Sequence, residues 1–75
     1  MWKKGSILIG RSIFHYWMKV YDNPSEFGIK RGRVSKLTLK RNGETVYQYD
    51  RGLDIPEVDM DTKPTVRLLL KEIDG

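Results

Sequence analysis

Apolar and polar side chains alternate along much of the first fifty residues, the pattern of strands with one face packed and the other turned outward. Trp2–Ile9 is rich in β-formers, and Gly10-Arg11 after it reads as a tight turn. Ser12–Tyr21 is the strongest strand. Its alternation puts Phe14, Tyr16, Met18 and Val20 on one clean apolar face, which should meet the core. Ile13, His15, Trp17, Lys19 and Tyr21 fall on the opposite face. Asp22–Gly32 carries the turn chemistry of a loop, with Asn23-Pro24, Ser25, Gly28 and Gly32. Arg33–Arg41 follows as a third strand, Leu37 and Leu39 inward and Lys36, Thr38 and Lys40 outward. Asn42-Gly43 suits a type I′ turn, in which both central residues take positive φ, so Glu44–Asp50 pairs back as a fourth strand.

The periodicity then changes. Arg51–Asp61 reads as an irregular acidic connection. Beyond it Val66, Leu69, Leu70 and Ile73 recur at i, i+3, i+4 and i+7, one apolar stripe of a helix. Asp61 or Thr62 is placed to cap its first turn, and Pro64 sits where a missing N–H costs little. Gly75 follows the stripe. A helix of about 10–11 residues is too short to be stable alone, so its order depends on packing against the sheet. The expected fold is α+β, a single domain over residues 1–75. It is a four-stranded antiparallel meander with one C-terminal helix packed on one face.

Composition narrows what such a domain can do. At 75 residues, with 39% hydrophobic and 32% charged side chains, the core is thin. A chain of this size buries only about 60% of its unfolded surface. Its core seldom supplies more than ~3–5 kcal/mol, so docking on a partner or on a second copy is a natural supplement. Cysteine is absent, which excludes disulfides, thiolate metal sites and a thiol nucleophile. The apolar run Ile7–Ile9 is too short for a signal peptide core or a membrane span, and the expectation is a soluble, cytoplasmic protein with no membrane role. The net charge of +4 is unevenly spread. Residues 1–41 hold ten Lys or Arg against Asp22 and Glu26, whereas residues 42–75 hold four against eight carboxylates. Either the halves attract each other on folding or one of them forms a binding face.

Three blocks of the sequence form a pattern. Ser25-Glu26-Phe27-Gly28-Ile29, Gly32-Arg33-Val34-Ser35-Lys36-Leu37 and Tyr49-Asp50-Arg51-Gly52 resemble, in order and spacing, a family of small bacterial proteins also found in phages and mobile elements, a domain of unknown function. The family commonly carries a tryptophan after Asp-Arg-Gly, where this chain has Leu53. The resemblance implies no activity, cofactor or catalytic residue. It points to an accessory protein of phage or mobile-element background.

Candidate chemistry is sparse. His15 is the only histidine, and none of Ser6, Ser12, Ser25 and Ser35 lies in a strand–turn–helix nucleophile setting, so a catalytic triad is not expected. Asp54, Glu57, Asp59 and Asp61 lack the glycine and spacing of a calcium loop and read as a solvated stretch whose last acid caps the helix. In Tyr49-Asp50-Arg51-Gly52, Asp50 suits a turn in which Gly52 takes positive φ. No cofactor or metal is expected.

The aromatic and basic residues remain. A sheet covered on one side leaves its other face wet, and Trp17 and Tyr21 on that face suit a contact surface better than a core. Trp2 is placed to cover part of it. The expected function is a non-catalytic protein-interaction module that docks through His15, Trp17, Lys19, Tyr21, Lys36 and Lys40. It would act as an inhibitor or accessory factor on a host protein, with a homodimer as a variant of the same docking. The alternative is nucleic-acid binding. There Lys30, Arg31, Arg33, Lys36 and Lys40 meet phosphates, Trp17 stacks on a base, and Gly32 lets backbone N–H groups approach the anion.

Overall fold

Two short turns set the register of the sheet. In the computed structural model, which describes residues 1–74, Gly10 takes φ +62 ahead of Arg11, the glycine-first form of a two-residue hairpin turn. It joins β1 (Trp2–Ile9) to β2 (Ser12–Val20), which pair from Trp2 opposite Lys19 to Ile9 opposite Ser12. Asn42 at φ 54 and Gly43 at φ 78 form the expected type I′ turn between β3 (Val34–Arg41) and β4 (Glu44–Asp50).

The meander does not stop at four strands. Leu53–Ile55 adds β5, antiparallel to β4, so the sheet has five strands in sequence order where the sequence suggested four. The turn that permits this differs from expectation as well. Arg51, not Gly52, takes the left-handed backbone, at φ 59. The Asp50 N–H donates to the Gly52 carbonyl at 2.9 Å and the Arg51 N–H to the Ser35 carbonyl at 3.0 Å, which fixes the bend on Arg51. The Asp50 carboxylate lies instead 3.6 Å from the Lys36 ammonium.

Three bulges adjust the sheet, one of them at Asp54, extra between Leu53 and Ile55, which face Tyr49 and Gln48. Ser35 is an extra residue between Val34, opposite Val20, and Lys36, opposite Lys19. Val46 is extra between Thr45 and Tyr47, which face Lys40 and Leu39. Such insertions bend and twist a strand locally.

α1 (Thr62–Asp74) is 13 residues long, somewhat longer than the stripe alone indicates. Among the described residues, the side-chain acceptor seen at its start is neither Asp61 nor Thr62. Asp59 Oδ1 accepts the Thr62 N–H at 3.0 Å and the Thr62 hydroxyl at 2.8 Å. Thr62 is fully buried, so its hydroxyl needs a protein acceptor, and Asp59 is fixed for that task by the Arg41 guanidinium. That pairing holds the Asp59 carboxyl below its ordinary range, with Arg41 first and the Thr62 hydroxyl next. Gly75 lies outside the described residues.

Val66, Leu69, Leu70 and Ile73 of α1 pack on Phe14, Met18, Val34, Leu37 and Leu39, with Tyr16 and Tyr49 half-buried at the margin. Each fully buried side chain of this kind contributes about 1.5–3 kcal/mol. Because α1 covers this face alone, the even-numbered residues of β2 are core and the odd-numbered ones are left for the other side.

Candidate interaction face

On the side away from α1 the cross-strand pairs line up in rows. Trp2, Lys19, Lys36 and Asp50 form one row, and Lys4, Trp17, Thr38, Gln48 and Ile55 the next. Ser6, His15, Lys40 and Thr45 follow, and Leu8 with Ile13 closes the face. Among the described residues no helix covers these rows. Trp2 is 60% exposed, Ile13 56%, and Trp17 and Tyr21 40% each.

The lysines are arranged around the rings. The Lys19 ammonium lies 5.9 Å from the Trp2 ring centre and 5.3 Å from that of Tyr21, and Lys40 lies 6.0 Å from that of Trp17. At these distances an ammonium is attracted to the ring face, which extends each aromatic as a flat platform edged by positive charge. Lys19, followed by Ser35 and Arg51, also stabilises the ionised form of Tyr21 and lowers its pKa from the ordinary phenolic value. The Thr38 hydroxyl donates to Gln48 Oε1 at 2.6 Å, a neutral link between β3 and β4. Asp50 is the carboxylate in these rows, at their margin beside Lys36.

His15, Trp17, Lys19, Tyr21, Lys36 and Lys40 are therefore brought together on one surface. The register adds Lys4, Leu8 and Ile55 to it and sets Trp2, expected to cover part of this face, opposite Lys19. The alternation within Trp2–Ile9 carries the signal for Lys4 and Leu8, once it is read against the partner strand. Ser6 stands opposite His15, but among the described residues no ion pair joins His15 to a carboxylate that would orient it.

The other basic residues separate from this face. Arg33 turns to the end of α1: its N–H donates to Asp74 Oδ1 at 3.0 Å, its guanidinium donates to the Ile73 carbonyl, and its Nε lies 3.7 Å from Asp74. Lys30 lines a groove with Arg67, Leu70 and Lys71 beside the same helix. Arg31, at φ 59, lines a groove with Glu26 and Phe27. Gly32 offers no anion-binding N–H, because that group donates to the Ile29 carbonyl at 2.9 Å and the Asp74 carboxylate occupies the adjoining space. Of the acidic stretch, Asp59 is engaged by Arg41 and Thr62. Among the described residues, no three acids or histidines converge as ligands for a metal ion. No helix in the described residues is long and apolar enough to cross a membrane.

The chain matches no curated protein and no solved structure. A family model does match, over nearly the whole sequence and therefore over the sheet, the loop and α1 together. On residues 1–74 the chain belongs to the family described as Domain of unknown function (DUF7678).

Proposed function

We propose that this domain is a non-catalytic binding module whose open sheet face docks a protein partner. The observation that carries the reading is the placement of Trp2, Ile13, Trp17 and Tyr21, all well exposed, on a face that α1 leaves bare. Tryptophan and tyrosine in such positions supply large contact area at low entropic cost and dominate binding where they are buried by a partner. Lys4, Lys19, Lys36 and Lys40 around them select a partner with carboxylates surrounding an apolar centre. With the resemblance to phage and mobile-element proteins, that partner is a host protein, and the module is an accessory factor or inhibitor acting on it.

The second reading is single-stranded nucleic acid, favoured by the Lys40 ammonium beside the exposed Trp17 ring. The diversion of Arg33 to α1 and of Lys30 to the helix side removes two of its phosphate contacts from the platform.

One experiment separates the two. A fragment library displayed against the wild type and against Trp17→Ala is run beside anisotropy titrations of labelled oligonucleotides at low and physiological salt. The protein reading expects acidic fragments with apolar centres whose affinity falls about tenfold or more with Trp17→Ala. Oligonucleotide binding that persists at physiological salt and fails with Lys36→Glu transfers the face to nucleic acid. Selected fragments indifferent to Trp17→Ala overturn the face as the docking surface.

A further inference from the structure

The three sequence blocks meet at one end of the sheet, away from the centre of the open face. A cleft of about 530 Å³ lies there, lined by Tyr21 after β2, Phe27 of the loop, Ser35 of the β3 bulge and Arg51 of the β4–β5 turn. Its volume is that of a small-molecule site.

The walls are fixed by hydrogen bonds. The Phe27 N–H donates to Ser25 Oγ at 3.1 Å, and the Tyr49 hydroxyl donates to the Phe27 carbonyl at 3.0 Å. Across the cleft, Arg51 is tied through its N–H to the Ser35 carbonyl and held in a left-handed backbone conformation that L-residues adopt at a cost. Strain of this kind persists where surrounding contacts over-determine it, and it recurs at ligand clamps.

The polar groups converge. Ser35, 4% exposed, lines the cleft together with Tyr21, whose ring centre lies 5.3 Å from the Lys19 ammonium. Arg51 has no carboxylate within 4 Å among the described residues, since its neighbour Asp50 pairs with Lys36. Asp22 lines the cleft too, as an exposed acid. Against it stand a guanidinium, a nearby ammonium and two hydroxyls. Phe27, 55% exposed, supplies an apolar wall.

We infer that this cleft binds a carboxylate carried on a small apolar body, the Arg51 guanidinium and the Tyr21 and Ser35 hydroxyls holding the oxyanion while Phe27 covers the apolar part. A planar guanidinium with flanking hydroxyls matches the two oxygens of a carboxylate. The group has two sources, a free small acid or the C-terminal carboxylate of a peptide.

The test is an NMR titration of the ¹⁵N-labelled protein with benzoate, N-acetylphenylalanine, and the neutral partners benzamide and N-acetylphenylalaninamide. Saturable shifts at Phe27, Ser35 and Arg51 with one or both acids, weakened about tenfold or more by Arg51→Gln, support the site. The acid that binds tells the source. Arg51→Lys, which keeps charge and loses the fork, should fall between. Trp17→Ala should leave acid binding intact, which separates this site from the docking face. Equal shifts with the amides, indifference to Arg51→Gln, loss with Trp17→Ala, or no saturation overturn the inference.

Discussion

The carboxylate of Asp74 occupies the space that a side chain on Gly32 would need. That contact fastens the last turn of α1 to the loop before β3, and Arg33 completes it by donating its N–H to Asp74 and its guanidinium to the Ile73 carbonyl. The end of a helix leaves carbonyls without partners, and Arg33 supplies one.

Gly32→Ala should therefore expel the Asp74 carboxylate and cost about 1–2 kcal/mol through the lost charge-assisted hydrogen bond. Gly28→Ala should cost more. A Cβ there meets the Gly32 carbonyl, a backbone atom that cannot swing aside as a carboxylate can. Urea unfolding of both variants checks the order. The midpoints should fall with the slope unchanged, Gly28→Ala lower than Gly32→Ala.

The sheet was readable from local rules. Asn42-Gly43 and the alternation in β2 each determine geometry within a few residues, so the hairpin and the two faces followed from sequence. β5 did not, because Leu53-Asp54-Ile55 is only three residues in an acidic stretch and exists through its pairing with Gln48 and Tyr49. The side-chain acceptor at the start of the helix escapes local rules for a related reason. Asp59 can serve Thr62 only because Arg41, 18 positions earlier, comes to meet it. Among the candidate residues, His15, Trp17 and Lys19 of β2 and Lys36 and Lys40 of β3 lie on strands, where parity places them, and Tyr21 follows directly after β2. Lys30, Arg31 and Arg33 lay in a loop whose direction no periodicity encodes.

Arg51 offers a contrary effect. Its φ of 59 suits glycine, so Arg51→Gly should relieve backbone strain and stabilise the fold by about 0.5–1 kcal/mol, less whatever entropy the unfolded chain regains. The same change removes the guanidinium from the cleft. A raised melting temperature together with lost carboxylate binding is the expected pair of results from thermal denaturation and titration. A lowered melting temperature would mean that the Arg51 side chain contributes more to the fold than its backbone costs.

Neighbouring positions in β2 give the plainest test of the two faces. Phe14 is fully buried under α1, and Phe14→Ala should cost about 3–5 kcal/mol, comparable with the whole stability expected of a domain this small. Ile13 is 56% exposed, and Ile13→Ala should change stability by no more than about 0.5 kcal/mol. Circular dichroism of the two variants should show one largely unfolded and the other native. Comparable losses would mean that something covers the open face.

The two titrating groups with large shifts bound the pH range of the fold from opposite sides. Asp59 is held below its ordinary value by Arg41 and Thr62, so its contribution is complete above the unfolded carboxylate range near pH 4 and fades as pH falls through the folded value. Asp59→Asn should flatten the acid limb of stability against pH, and Arg41→Gln should do the same, since the pair acts together. Tyr47 behaves oppositely. Burial first, then the charge of Glu57 and the neighbouring Tyr49, raises its pKa to about 12. In the unfolded chain the phenol ionises near pH 10, so folding holds a proton that unfolding releases, and stability drops as pH rises from about 10 toward 12. Tyr21, lowered by Lys19, ionises earlier and does not contribute to that loss. Ultraviolet titration should show an early phenolate phase removed by Tyr21→Phe and a late one removed by Tyr47→Phe, with only the second variant extending stability into alkali.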